Sequence, residues 1–177
     1  SFGAKRASST IEKAKEVVQV ARLLGPVIRE VPALGNTGRI IKEGVTGWAF
    51  TAISLLADKI ATNPTTLYKK KGSNWVAIDS DPLLELLNNP NPYQDGKQFM
   101  WLTAGYLLAV GESFWVLNDA KNPTEMVVYN PAKVVMKFDD SNMLSGYEFL
   151  LANGQRRVVE KDLVVFLSMP DLKNPLR

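Results

Sequence analysis

The chain has no cysteine and no histidine. The first absence removes disulfides, thiolate metal sites and cysteine nucleophiles, and it favours a reducing compartment of origin. The second removes every triad or dyad that uses imidazole as its base, along with His-ligated zinc and copper sites. No apolar run approaches the ~20 residues of a membrane-spanning helix. The polar N-terminus has no apolar signal-peptide core. There is no G-x-x-x-x-G-K-S/T loop to cradle ATP phosphates, and no G-x-G-x-x-G follows a strand. No cofactor, metal or membrane partner is expected.

The 177 residues suffice for one ordinary domain with its own core. A hydrophobic share of 46% with 22% charged residues is globular in character. The net charge of +3 is unevenly spread. Residues 1–44 hold eight Lys or Arg against four Glu, whereas residues 45–177 hold thirteen against fourteen Asp or Glu. The basic excess therefore lies in the first segment. Its Lys5, Arg6 and Lys13 are candidates for polyanion contact. A solvated helix face explains the same residues more simply.

The local signals change character along the chain. Ser9-Thr10-Ile11-Glu12 has the form of a capping box. It opens an amphipathic run through Ile11, Ala14, Val17, Val18, Ala21 and Leu24, which Gly25-Pro26 stops. Residues 25–44, with Pro26, Pro32, Gly35, Gly38 and Gly44 among them, read as an irregular linker. A helix over 45–62 carries one apolar stripe that includes Trp48, Ala52, Leu56 and Ala57. A hairpin follows, with strands over 65–71 and 75–78. Asp81-Pro82 starts a short helix as cap and first helical residue, its buried side supplied by Leu83, Leu84, Leu86 and Leu87. Asn88-Asn89-Pro90-Asn91-Pro92-Tyr93 is a dense turn. Asp95 and Gln98 open a further helix to about Val110, apolar nearly all round and so expected to be covered on more than one side. After Gly111 the period becomes two. Strands are expected over 113–117, 124–129, 133–138, 147–151, 155–159 and 163–167. Asn153-Gly154 predicts a type I′ hairpin turn. Helices first and a meander of short antiparallel strands after make an α+β fold.

Few residues are candidates for chemistry. Asp79 and Asp81 flank a turn, and Asp139-Asp140 sit in a hairpin loop. Clustered acids can hold the metals of a nuclease, but a helix cap and ordinary turn composition account for these pairs. Lys69, Lys70 and Lys71 could touch phosphates, although lysines also protect an exposed strand. Arg156-Arg157 allows the same two readings. Trp48, Trp75, Trp101 and Trp115 are each embedded in apolar pattern, and core packing is expected for all four.

Residues 80–93, Ser-Asp-Pro-Leu-Leu-Glu-Leu-Leu-Asn-Asn-Pro-Asn-Pro-Tyr, resemble the "HPLxxLLxxPNP" segment of phage portal proteins, with Asp81 where His is frequent. The motif positions are Asp81, Pro82, Leu83, Asn89, Pro90, Asn91 and Pro92. Leu107 to Trp115, around Gly111, resembles that family's "LLLxGNAY" passage from helix to strand. Residues 122–134, with Asn130 and Pro131, are similar to "GxPxxLxxLxPxxV". Residues 160–166, with Asp162, are similar to "xxDVLHI", with Phe166 where His is common. Residues 45–71 resemble "IAxxVAxxPLxLYxR". Five pieces keep the family's order over 45–167, while residues 1–44 match none of them.

The resemblance implies a structural, non-enzymatic subunit of a ring, dodecameric in the family, at one vertex of the capsid. It further implies a channel for double-stranded DNA during packaging and ejection. The partners would be the major capsid protein, terminase and head-tail adaptors, in a virion assembled in the host cytoplasm. On this reading residues 1–44 are a basic helix and linker, and residues 45–177 are a portal wing-like domain. Stem, clip and crown would follow Arg177, so that a fragment is expected, and Ser1 in place of Met suggests trimming, processing or missing residues at the other end. Two other readings fit the composition: a free-standing α+β nucleic-acid-binding protein, and a metal-dependent nuclease using the aspartates above.

Overall fold

The computed structural model describes residues 35–141 and 143–170. The expected helix over 11–24 and Lys5, Arg6 and Lys13 lie outside the described residues, as do residues 171–177. Among the described residues four helices come first, and most of the strands follow them.

The first correction concerns the linker. Residues 35–44 are helical: α1 spans Gly35–Arg39 and continues as a single π turn over Ile40–Gly44. Val45 N–H closes that turn on the Ile40 carbonyl at 3.0 Å. Glycines raise the cost of a helix without forbidding it, and neither proline of the stretch falls within these residues.

Helix α2 spans Gly47–Ala61. The hairpin is β1, Leu67–Lys71, paired antiparallel with β2, Asn74–Ile78, in a two-stranded sheet of its own. Helix α3 spans Pro82–Asn88 and is capped by the Asp81 carboxylate, which accepts from Leu83 N–H at 2.9 Å. Leu86 is its buried residue, while Leu83 points outward at 48% exposure. Helix α4 spans Gly96–Val110 and is capped by Asp95, which accepts from Gln98 N–H at 2.7 Å. It ends on Gly111 at φ 79°, a left-handed C-terminal stop suited to glycine.

Six strands complete the described residues: β3 Glu112–Leu117, β4 Met126–Tyr129, β5 Val134–Phe138, β6 Leu144–Leu150, β7 Arg156–Glu160 and β8 Val164–Ser168. Only β5, β6 and β7 form a consecutive meander. The last strand crosses back to pair with β3, so that one sheet runs β4-β3-β8 and the other β5-β6-β7, all antiparallel.

Period-two alternation in the first of these sheets explains the layers. Phe114 and Val116 of β3, Val127 and Tyr129 of β4 and Val164 of β8 join Tyr147, Phe149 and Val159 of the second sheet in one core. Trp115 and Leu117, with Met126 and Val128, belong to a second core built with Leu86 of α3 and Phe99 of α4. The β4-β3-β8 sheet therefore has the other sheet on one face and helices on the other. Helix α4 in turn lies between that sheet and α2, which accounts for its apolar surround.

Two further expectations change. The Asn153-Gly154 hairpin is not a two-residue type I′ turn. Gly154 N–H closes on the Leu151 carbonyl at 3.0 Å, Leu151 N–H pairs with Gln155 O at 2.8 Å, and Gly154 sits at φ 80°. This is a three-residue loop in which one left-handed residue restores the strand twist after an ordinary turn. The tryptophans also divide. Trp115 and Trp101 are half-buried, but Trp48 is 92% and Trp75 66% exposed. An apolar pattern says which residues favour burial, not whether this chain supplies the covering surface.

Candidate functional site

The turn segment after α3 is held by its own polar groups. Pro90 is buried, and its carbonyl accepts from Met126 N–H at 2.8 Å. The Asn91 amide donates to Met126 O at 3.0 Å and to Gln94 Oε1 at 3.1 Å, while Asn91 Oδ1 accepts from Tyr93 N–H at 3.1 Å. The segment thus docks on the start of β4, an outer strand of its sheet. Beside it lies a shallow open groove of about 570 Å³, lined by Asn89, Asn91, Pro92, Tyr93, Gln94 and Asp95 and closed by Thr124 and Glu125. Asn91 and Asp95 face the groove with oxygens already bonded to backbone N–H groups. Their chemistry is spent on shape.

The other motif positions do similar work. Pro82 is the first residue of α3 and Asn89 its C-terminal cap. Gly111 N–H donates to Leu107 O at 2.9 Å, and its carbonyl accepts from Met169 N–H at 2.8 Å, tying the end of α4 to the end of β8. Asn130 caps the 3-10 turn Pro131–Lys133 by accepting from Ala132 N–H at 2.9 Å. Pro92 and Asp162 are exposed.

Among the described residues no group of three or more acids could hold a metal ion. Asp81 is engaged as a cap, and Asp139 Oδ1 accepts from Ser141 and Met143 N–H, both at 2.9 Å, closing its own loop. Asp79 and Asp140 are exposed. Lys69, Lys70 and Lys71 are exposed on β1, where the register sets Lys70 opposite Trp75 and Lys69 opposite Val76. Arg156 is held by an acid of the neighbouring strand. Its guanidinium lies 2.8 Å from Glu148, and Lys137 lies 3.2 Å from the same carboxylate. One mostly buried acid thereby bridges three strands.

Two polar groups escaped sequence reasoning. Glu148 is one. Burial works to raise its carboxyl, but hydrogen bonds and charge from Arg156 and Lys137 outweigh this and hold it below its ordinary value. Its partners are brought to it by the register of β5 and β7 on β6. Thr103 is the other, as acceptor for the Trp115 indole at 2.9 Å. Burial pushes the Tyr106 and Tyr129 hydroxyls up to about 12, which marks them as core groups. Among the described residues no single helix is long and apolar enough to cross a membrane. The pair Thr37–Gly44 and Gly47–Ala61 reaches that composition only together, bent by 102°.

The family model for phage portal proteins matches residues 48–175. An uncharacterised protein of Rickettsia bellii (strain RML369-C) is 26% identical over 129 residues, which span 70% of this chain and 32% of that protein. The fold is shared with solved structures of gene transfer agent particles. A chain in the neck of the empty particle, computed with C6 symmetry, superposes with a TM-score of 0.68 at 16% identity, over 84% of this chain and 41% of that one. A chain in the neck of the native particle, computed with C12 symmetry, gives 0.64 at 15% identity, over 87% and 41%. A chain in the virion of the native particle gives 0.63 at 16% identity, over 93% and 43%. The chain thus spans about a third of the Rickettsia relative and about two-fifths of the matched structures.

Proposed function

The chain belongs to the phage portal protein family, and from that premise we propose that it is a wall-forming subunit of the portal ring at a capsid vertex. The family's proteins are structural and not enzymatic. In this proposal residues 45–177 are the wing of a longer subunit. Copies close into a ring, dodecameric as in the family, around a channel for double-stranded DNA. The ring offers docking surfaces to terminase, the major capsid protein and head-tail adaptors. The particle is a tailed phage or a gene transfer agent.

The observation that carries this reading is the family match from α2 to the end of the described strands and beyond, over both cores. The polar chemistry agrees with it. Asn91, Asp81, Asp95, Asn130 and Asp139 all hold backbone N–H groups. A closed ring needs heterologous surfaces repeated about an axis, not a reactive group. Contact with DNA in such a channel is set by phosphate charge and is independent of base sequence.

Electron microscopy of the full-length protein tests the reading. Rings with a central hole, also found at one vertex of the particle, are expected. A protein that stays monomeric under every assembly condition and is missing from particles would refute it.

A further inference from the structure

Helix α2 and the β1–β2 hairpin are the least covered part of the described fold. Ala57 is the buried residue of α2, and the helical repeat puts Trp48 and Leu55 nearly opposite it. Trp48 is 92% exposed, Leu55 64% and Leu56 53%. The outer side of the helix therefore exposes Trp48 and Leu55, with Lys59 beside them, although the inner side already packs on α4. In the hairpin only Leu67 and Ile78 are half-buried, and every other residue is exposed. Tyr68, Trp75 and Val76 are 57%, 66% and 49% exposed. The register puts Tyr68 and Trp75 on one face of the hairpin with Lys70, and Val76 on the other with Lys69 and Lys71. A two-stranded hairpin standing alone is marginal in water, and exposed aromatic surface of this kind marks an interaction site.

The charge is divided in the same way. Residues 35–170 contain thirteen Lys and Arg and fourteen Asp and Glu. Three of those thirteen are Lys69, Lys70 and Lys71 on the hairpin, so the remaining body carries ten against fourteen. A basic, aromatic projection thus stands on a net acidic body. A cyclic ring is made by head-to-tail contacts between unlike faces, and this division supplies two of them. Trp48 and Leu55 on the helix, with Tyr68 and Trp75 on one face of the hairpin, expose roughly 600 Å², a large part of the ~800 Å² per partner of a standard interface.

On the ring reading above, we propose that residues 47–78 are the leading face of each subunit, seated against the acidic body of the next copy. The test uses the full-length protein and follows assembly against concentration by mass photometry. One variant is Trp75→Asp. A second carries Lys69→Glu, Lys70→Glu and Lys71→Glu together. Both change exposed positions, and circular dichroism of the subunits checks that folding is intact. Each is expected to raise the concentration at which rings dissociate by about tenfold or more, the lysine variant losing its deficit as salt rises. Folded variants that assemble at the wild-type concentration overturn the proposal. So does protection of Trp48 and Trp75 from acrylamide in the dissociated wild-type subunit, because the cover then comes from the same chain. A wild-type protein that never forms rings instead defeats the proposed function, and this inference with it.

Discussion

The hydroxyl of Thr103 bonds in two directions. It donates back to the Phe99 carbonyl at 2.9 Å and accepts the Trp115 indole N–H at 2.9 Å. The Phe99 and Trp115 rings lie 4.9 Å apart beside it. A polar residue in an apolar helix thereby fixes the rotation of a tryptophan in the neighbouring sheet. Glu148 does comparable work in the outer sheet, where it ties β5 and β7 to β6. Because its carboxyl is held below the ordinary value near 4.5, its stabilisation is complete above that value and is lost as pH falls through the lower folded one. Glu148→Gln should therefore cost about 1 kcal/mol at neutral pH, since both partners are partly solvated. Urea midpoints of variant and wild type should converge as the pH is taken below 4.

At the scale of the element, α4 answers opposite demands at two glycines. A Cβ on Gly96 would stand 2.5 Å from Leu87 O and 2.9 Å from Asn88 Cα, both backbone atoms at the end of α3. A Cβ on Gly105 would meet nothing within 4 Å. Gly96→Ala should destabilise by roughly 1–3 kcal/mol through overpacking, while Gly105→Ala should stabilise by about 0.5–1 kcal/mol through helix propensity. Equilibrium unfolding of the two variants tests the pair, and equal signs would contradict this packing. The start of α4 was legible in Asp95 and Gln98. The reason for Gly96 was not, because the close approach is made by a segment that returns on it in space.

Over the whole molecule, the two cores share one sheet and each contains a tyrosine. Tyr106 packs against the helix–sheet core, and Tyr129 lies between the sheets with its hydroxyl donating to Leu150 O at 2.9 Å. Both hydroxyls titrate near 12 when folded, against an ordinary value of 10. Their neutral forms are favoured by folding. The stability they confer is full below pH 10 and drains away as pH rises toward 12, on the order of 2 kcal/mol for each. Tyrosinate absorbance and helix content followed from pH 9 to 12.5 should change together for these two groups. Ionisation of both near pH 10 with the fold intact would contradict the burial described here.

Much was settled by short-range pattern. The positions of the described helices from Gly47 onward, the hairpin and all six later strands followed from periodicity, caps and turn residues, since these depend on neighbours a few positions away. The motif pieces at 80–93 and 122–134 were legible for the same reason: Asp81, Asn91 and Asn130 bond backbone N–H groups within two positions. What the tertiary structure decided was partnership. The return of β8 to β3, the three-strand bridge at Glu148 and the Thr103–Trp115 bond join residues far apart in the chain, and no local signal encodes them. Trp48 and Trp75 show the same boundary from the other side. Their apolar character is a property of the residue, but burial requires an opposing surface, and only the folded arrangement reveals that the described chain does not provide one.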